Sequence, residues 1–193
     1  MELVFASNNK HKLEEAKALM GTGCTILSLS DIGCHDEIPE DKPDLVGNAL
    51  QKAHYIYQKY HRDCFSDDTG MEIEALNGRP GVYSARYAGA QCSFEDNMNK
   101  VLEEMQPFTN RKACFRTVIA LIMEGKEYLF EGRVDGIILR EEQGKQGFGY
   151  DPIFQPSGYN ISFAEMDLNE KNAISHRGRA LEKLCRFLKA QNV

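Results

Sequence analysis

Four short segments of the chain carry residue types that do chemistry. The first reads S-N-N-K-H-K over residues 7–12 (Ser7, Asn8, Asn9, Lys10, His11, Lys12) and joins an apolar run to a helical pattern. Polar turn residues, two lysines and a helix N-terminus together suit an anion such as a phosphate. It lacks the GxxxxGK[ST] spacing of a Walker A loop. Taken alone, a capped surface helix is the better reading of it. The second segment is Asp67-Asp68, which follows an apolar strand pattern and could hold a metal or a general base; a solvated turn is the plain alternative. D-T-G at 68–70 has the letters of an aspartic protease, but that chemistry needs a second such loop or a symmetric dimer around it, and Glu72 and Glu74 are unusual neighbours for its apolar surroundings. Nor is it the D-x-D of haloacid-type phosphatases, because adjacent acids point to opposite sides of a strand.

The third segment packs Gly147, Phe148, Gly149, Tyr150, Asp151 and Pro152 together. Glycines let a ligand approach the backbone and aromatic rings offer a stacking face for a base; the alternative is a hairpin exit with core aromatics. The fourth, Ser175-His176-Arg177, supplies donors for a phosphate or carbonyl oxygen, or simply caps the last helix. His11, His35, His54 and His61 form no HExxH or similar metal spacing. Together, a basic strand-helix turn, an acidic strand end, an aromatic glycine loop and a His-Arg pair are the parts a nucleoside triphosphate hydrolase needs.

These segments need elements to position them. Residues 3–6 read as a strand, and Leu13, Ala16, Leu19 and Met20 then share a helical face, with Lys12, Glu14, Glu15 and Lys17 elsewhere. A second strand is predicted at 25–29, and Leu45, Ala49, Ala53, Ile56 and Tyr60 keep helical spacing. Residues 64–66 start a strand that runs into Asp67-Asp68, and 71–76 resume an extended pattern. Ser93 with Asp96 makes a capping box ahead of Met98, Val101, Leu102 and Met105. Residues 113–123 and 128–139 are β-rich runs joined by Glu124-Gly125-Lys126-Glu127, a hairpin signal. Leu181, Leu184, Phe187 and Leu188 form a last helical stripe after Ser175. The pattern is α/β: a mixed, elongated β-sheet flanked by helices, in two lobes with a central cleft. No linker or repeat divides residues 1–193, which read as one domain.

Composition narrows the function. The 193 residues carry 23 Lys+Arg against 29 Asp+Glu, a net charge of −6, which argues against a broad basic face for nucleic acid or an anionic membrane. The longest purely apolar run, 118–123, is far too short to span a bilayer, and the N-terminus has no basic or long apolar leader. The reading is therefore cytoplasmic. The 6 cysteines never come closer than ten positions, which reads as reduced, mostly buried thiols.

In these residues the chain resembles the inosine triphosphate pyrophosphatases, which remove aberrant purine nucleoside triphosphates. The resemblance is carried by FASNNKHKLEEA near the start, IPE at 38–40, NALQKA at 48–53 and SDDTGMEIEALNGRPGVYSARYAG at 66–89. It continues in GFGYDPIF at 147–154, FAEM at 163–166 and EKNAISHRGRAL at 170–181. It implies an inosine triphosphatase-like fold, usually a homodimer, and Mg²⁺-dependent hydrolysis of ITP, dITP and XTP to monophosphate and pyrophosphate. Carried over by residue, Ser7, Asn8, Asn9, Lys10, His11 and Lys12 take the triphosphate, Glu40 and Asp68 take the metal, and Asp68 is the proton acceptor. Lys52 and Thr69 would contact the nucleotide. Phe148, Gly149, Tyr150, Asp151, Lys171, His176 and Arg177 would hold the base and sugar.

Donors near His176 and Arg177 would suit the 6-oxo group of hypoxanthine and xanthine and oppose the amino group of adenine. The chain departs from the family pattern twice. Ser7 and Asn8 stand where Thr-Gly is common, and because Asn tolerates positive φ the turn is expected to survive; Gly47 stands where many relatives have Glu, which leaves the metal shell open. A catalytically silent nucleotide- or RNA-end-binding module is the alternative reading.

Overall fold

The computed structural model of the chain describes residues 1–191, the side chain of residue 22 aside; the last two positions of the expected 1–193 domain lie outside them. In chain order the elements are β1 (Glu2–Phe5), α1 (Lys10–Met20), β2 (Thr25–Leu27), α2 (Leu45–Tyr60), β3 (Cys64–Ile73) and β4 (Pro80–Gly81). Then follow α3 (Phe94–Met105), β5 (Lys112–Met123), β6 (Lys126–Ile138), β7 (Phe154–Pro156), α4 (Leu168–Ile174) and α5 (His176–Gln191). The strand order is β2-β1-β3-β5-β6-β7, with β4 on β3. The fold is mixed α/β. By contacts the chain forms two units: Met1–Asp68, Thr117–Gly132 and the segment from Arg177 onward, and Thr69–Arg116 with Arg133–His176. Each takes part of β3, β5 and β6.

In the first unit β1 pairs in parallel with β2, Leu3 opposite Ile26, and with β3, Phe5 opposite Phe65. Parallel pairing needs a crossover, which α1 supplies between β1 and β2. The apolar stripes of α1 and α5 meet the sheet in one core of Leu3, Phe5, Ala16, Phe65, Leu121, Ala180, Leu181 and Leu184. Phe5 and Phe65 stack at 4.7 Å, interlocking the two parallel strands. Of the α1 residues predicted to face away, Glu15 is buried at 3% exposure.

In the second unit β4 pairs antiparallel with β3, and β7 with β6. Its core joins Met71, Ile73, Met98, Val101, Phe115, Val134, Phe154 and Phe163. Ser93 and Asp96 form the predicted capping box at the start of α3. Gly70 is required where β4 approaches, since a Cβ there would lie 2.6 Å from the Gly81 carbonyl.

Local differences from the sequence reading have physical causes. β3 does not end at Asp67-Asp68 but continues to Ile73, because buried partners satisfy both acids and the ladder need not stop. Residues 74–76 form a 3-10 turn instead of extended chain, and β2 stops at Leu27. The hairpin between β5 and β6 is tighter than the four-residue signal. Its turn is Glu124-Gly125, both at positive φ (51° and 77°), the backbone that matches strand twist. The short α4, capped by Asp167 with Glu170, follows no apolar periodicity and was not predicted. Asn8 is not among the positive-φ residues; Ser7 Oγ instead accepts the Asn9 N–H and shapes the turn. All six cysteines are free, three of them buried, and among the described residues no helix is long and apolar enough to cross a membrane.

Candidate active site

The first unit assembles an acidic and basic cluster around β3. Period-2 alternation turns its odd and even residues to opposite faces. On the even face, α2 runs alongside: Cys64 Sγ donates to the Ala53 carbonyl at 3.2 Å, Ser66 Oγ to the Ala49 carbonyl, and Asp68 Oδ2 accepts from Asn48 Nδ2 at 3.1 Å. On the odd face Phe65 enters the α1 and α5 core and Asp67 meets cations from the same two helices. Lys12 Nζ donates to Asp67 Oδ1 at 3.0 Å and Arg177 Nε to Asp67 Oδ2 at 3.1 Å. Arg177 Nη1 also donates to Glu15 Oε2. The Asp67 and Arg177 side chains are 2% and 3% exposed, so this is a desolvated network whose charges must be matched.

The two neighbouring acids are driven apart. Burial works to raise the Asp67 carboxyl, but Lys12, Arg177 and Lys52 outweigh it and hold Asp67 well below the usual carboxylate range. Burial dominates at Asp68 and raises it above its ordinary value against the pull of Lys52 and Lys12, with Glu40 adding to the rise. One acid is thereby kept ionised as a structural anchor, and the other is tuned toward accepting a proton. Lys12 is lowered, first by burial, and Arg177 is raised, Glu15 and Asp67 outweighing the effect of burial.

Lys52 reaches the cluster from α2. Its Nζ donates to Glu40 Oε1 and to the Asp67 carbonyl at 2.7 Å, and lies 3.8 Å from Asp68 Oδ1. Glu40 and Asp68, the expected metal pair, are therefore gathered around one cation. Among the described residues no group of three or more His, Cys, Asp or Glu is placed to hold a metal. Two carboxylates still fit Mg²⁺, which takes one or two from protein and the rest of its shell from phosphates and water.

At the head of α1 the side chain of Asn9 accepts from the N–H groups of His11 and Lys12 at 3.0 and 3.2 Å, which makes it the helix cap. Lys10 and His11 are exposed, and Ser7 is half-buried.

The second unit gathers the remaining candidates except Arg177, which the sequence reading grouped with the base end. The unit boundary falls between His176 and Arg177. Consecutive helical residues diverge by about 100°, so the two side chains enter different surroundings. His176 is buried and stacks on Phe115 at 4.6 Å, whereas the guanidinium of Arg177 belongs to the Asp67 network. Asp151 organises the glycine loop: its Oδ2 accepts from the Phe148 N–H at 2.9 Å and from Lys171 Nζ at 2.8 Å. Gly147 makes this possible, since it has φ of +73° and a Cβ there would sit 2.1 Å from that oxygen. Lys171 Nζ lies 4.8 Å from the centre of the half-buried Phe148 ring. Tyr150 is no open stacking face: it is buried, and its hydroxyl donates to the Ser84 carbonyl at 2.6 Å. Thr69 is half-buried in β3.

Sequence reasoning missed Glu15, Asn48 and Phe94. Asn48 could have been found as a polar residue one step from the core stripe of α2, a position at which polarity demands a partner. Glu15 borders the α1 stripe in the same way. Phe94, exposed at the first turn of α3, packs 5.9 Å from Phe148, a contact only the fold creates.

The comparisons with known proteins agree along the whole chain. The sequence pattern of the Ham1 family matches residues 3–187. A dITP/XTP pyrophosphatase of Flavobacterium psychrophilum is 55% identical over 189 residues, covering 98% of this chain and 100% of that protein. One of Flavobacterium johnsoniae is 52% identical over 98% of this chain and 99% of its own. Among solved structures, the Staphylococcus aureus Ham1 protein superimposes with a TM-score of 0.90 at 34% identity, over 99% of this chain and 100% of its own. A HAM1 protein from Coxiella burnetii gives 0.90 at 38% identity, over 98% and 99%.

Proposed function

The chain belongs to the Ham1 family, and from that premise we propose that it is a nucleoside-triphosphate pyrophosphatase. It hydrolyses dITP, XTP and ITP to the monophosphate and pyrophosphate, keeping aberrant purines out of DNA and RNA. The observation that carries this reading, beside the kinship, is the gathering of two carboxylates around one lysine: Lys52 Nζ donates to Glu40 Oε1 and to the Asp67 carbonyl and lies 3.8 Å from Asp68 Oδ1.

Water attacks the α-phosphorus, a new P–O bond forms, and the bond to the bridging oxygen breaks so that pyrophosphate leaves. Asp68 orients the water and accepts its proton. Asn48 holds Oδ2 of Asp68 and so aims the other oxygen. Lys12 and Lys52, both inside the cluster, offset the charge that develops on the leaving group. Residues 7–11 line the triphosphate from the head of α1. Glu40 and Asp68 would hold Mg²⁺, which when bound neutralises phosphate charge and polarises the water.

Base and sugar fall to the second set, Phe148, Gly149, Tyr150, Asp151, Lys171 and His176, with Thr69 at the nucleotide. The half-buried Phe148 ring offers a stacking face, and the Lys171 ammonium a donor for a 6-oxo group. Adenine would set its amino group against that donor, a mismatch more costly than one of shape. We place the enzyme in the cytoplasm as a homodimer, with all 193 residues as one catalytic domain and no nucleic-acid or membrane partner.

A panel of ITP, XTP, dITP, ATP and GTP with Mg²⁺ and a pyrophosphate readout tests the reading. Pyrophosphate from the first three, well above ATP, is expected. Orthophosphate as the product would make the reaction class wrong, and nucleotide binding without turnover would favour a silent binding module. Sedimentation at micromolar protein checks the dimer.

A further inference from the structure

Glu40 lies on a stretch, residues 35–42, with no regular secondary structure, yet it is gathered with Asp68, whose backbone is locked in β3. Asn48, Gln51 and Lys52, at i, i+3 and i+4, share one face of α2. They grip three consecutive residues in reverse order. Lys52 Nζ donates to Glu40 Oε1. The Asp41 N–H donates to Gln51 Oε1 at 3.1 Å, and Gln51 Nε2 returns a bond to Asp41 Oδ1 at 2.9 Å. The Lys42 N–H donates to Asn48 Oδ1 at 2.8 Å.

Asn48 is 1% exposed and is used at both ends, since its Nδ2 also donates to Asp68 Oδ2 at 3.1 Å. Only an amide does this. It needs an acceptor toward the Lys42 N–H and a donor toward the carboxylate, and the reversed amide would oppose like to like at both ends. Gly47 completes the fit: a Cβ there would lie 2.7 Å from Lys42 Cβ, so in this chain the segment sits as close to the helix as it does only with a glycine facing Lys42.

We propose that Asn48 and Gln51 are positioning residues, a clamp on α2 that Gly47 allows to close and that sets Glu40 against Asp68 for the metal. The proposal rests on the reading of Glu40 and Asp68 as the metal pair. It explains how an irregular segment presents a ligand reproducibly, because three anchors on a rigid helix replace the ladder bonds a strand would supply.

The test uses the full chain. Amide hydrogen exchange without metal or nucleotide reads the clamp directly, and XTP turnover against Mg²⁺ concentration reads its consequence. In Asn48→Ala, Lys42 exchange should rise at least tenfold, and kcat should fall about 10- to 100-fold with the Mg²⁺ activation constant raised. Gln51→Ala should do the same, more weakly, with exchange rising at Asp41. Asn48→Asp keeps the acceptor for Lys42 and sets a second carboxyl against Asp68 in place of the amide donor, so exchange should stay near the wild-type rate while kcat falls. Gly47→Ala replaces glycine by a better helix former. It should open the segment without lowering thermal stability, which separates positioning from loss of fold even if Asn48→Ala does not fold. Unchanged Lys42 and Asp41 exchange in Asn48→Ala and Gly47→Ala, or faster exchange with unchanged kcat and Mg²⁺ constant, overturns the clamp. If wild type releases no pyrophosphate from XTP, the proposed function fails instead. Exchange and the heat of Mg²⁺ binding then decide the clamp alone: it stands if the variants loosen the segment and weaken Mg²⁺, and falls otherwise.

Discussion

Asp67 and Asp68 are consecutive in β3, and their carboxyl groups depart in opposite directions from the ordinary value of 3.8. A strand turns neighbours to opposite faces. Asp67 therefore meets Lys12 and Arg177, while Asp68 meets Asn48 and Lys52 of α2.

Near-isosteric amides should separate the two roles. Asp68→Asn is expected to cut kcat by about 10²- to 10⁴-fold, the range of a lost general base, with the unfolding midpoint at or above wild type. Asp67→Asn should instead destabilise by about 3–5 kcal/mol, because it leaves Lys12 buried without its counter-charge and Arg177 with Glu15 alone. Urea unfolding and pyrophosphate release on both variants check this; near-normal activity in Asp68→Asn would remove Asp68 from the base role.

Stability should depend on acid through Asp67. Its folded pKa is lowered, so the stability it contributes is complete above the unfolded value of about 4 and is lost as pH falls toward the folded one. The stability difference between wild type and Asp67→Asn, measured without metal, should be flat above about pH 5 and shrink steadily below it. A difference that grows on acidification would contradict the assignment.

Arg177 should behave as a structural cation. Arg177→Leu leaves both Glu15 and Asp67 buried without it, and a loss of about 3–5 kcal/mol is expected. A double-mutant cycle with Glu15→Gln should give a coupling of about 0.5–3 kcal/mol, since the two side chains share one network. Additive effects would mean the contact carries no energy.

Gly147→Ala tests the glycine loop. Both the +73° φ and the contact with Asp151 Oδ2 oppose a methyl group there. The bonds from Phe148 N–H and Lys171 to Asp151 should loosen, raising KM for XTP about tenfold or more with a smaller change in kcat. Steady-state kinetics decide, and an unchanged KM would detach this loop from nucleotide binding.

Chelation should stop turnover and Mg²⁺ should restore it, yet the unfolding midpoint of the nucleotide-free protein should barely move. Lys52 already lies between Glu40 and Asp68 and compensates both carboxylates. Calorimetric scans with and without EDTA check this; a large drop in midpoint would make the metal structural.

Much of the fold was legible in the chain itself. The stripes of α1, α2, α3 and α5, the alternation of the first strands and the β5-β6 hairpin are local signals, because one buried face imposes a period and one turn type imposes its residues. The S-N-N-K-H-K, D-D and GFGYDP segments were legible too, but only as residue types suited to a phosphate, a proton and a nucleobase.

Tertiary structure decided where those groups point and what they face. It buried Glu15 against Arg177, a residue far away in sequence, and took Arg177 from His176's surroundings into those of Asp67. It made Asp67 an anchor and Asp68 a raised acid, two identical side chains that differ locally only in the face of the strand they take. It gave Asn48 its bonds to both Lys42 and Asp68. Periodicity follows from a residue's immediate neighbours, whereas the protonation of a carboxylate follows from the charges and dielectric around it, and those arrive from other parts of the chain only when it folds.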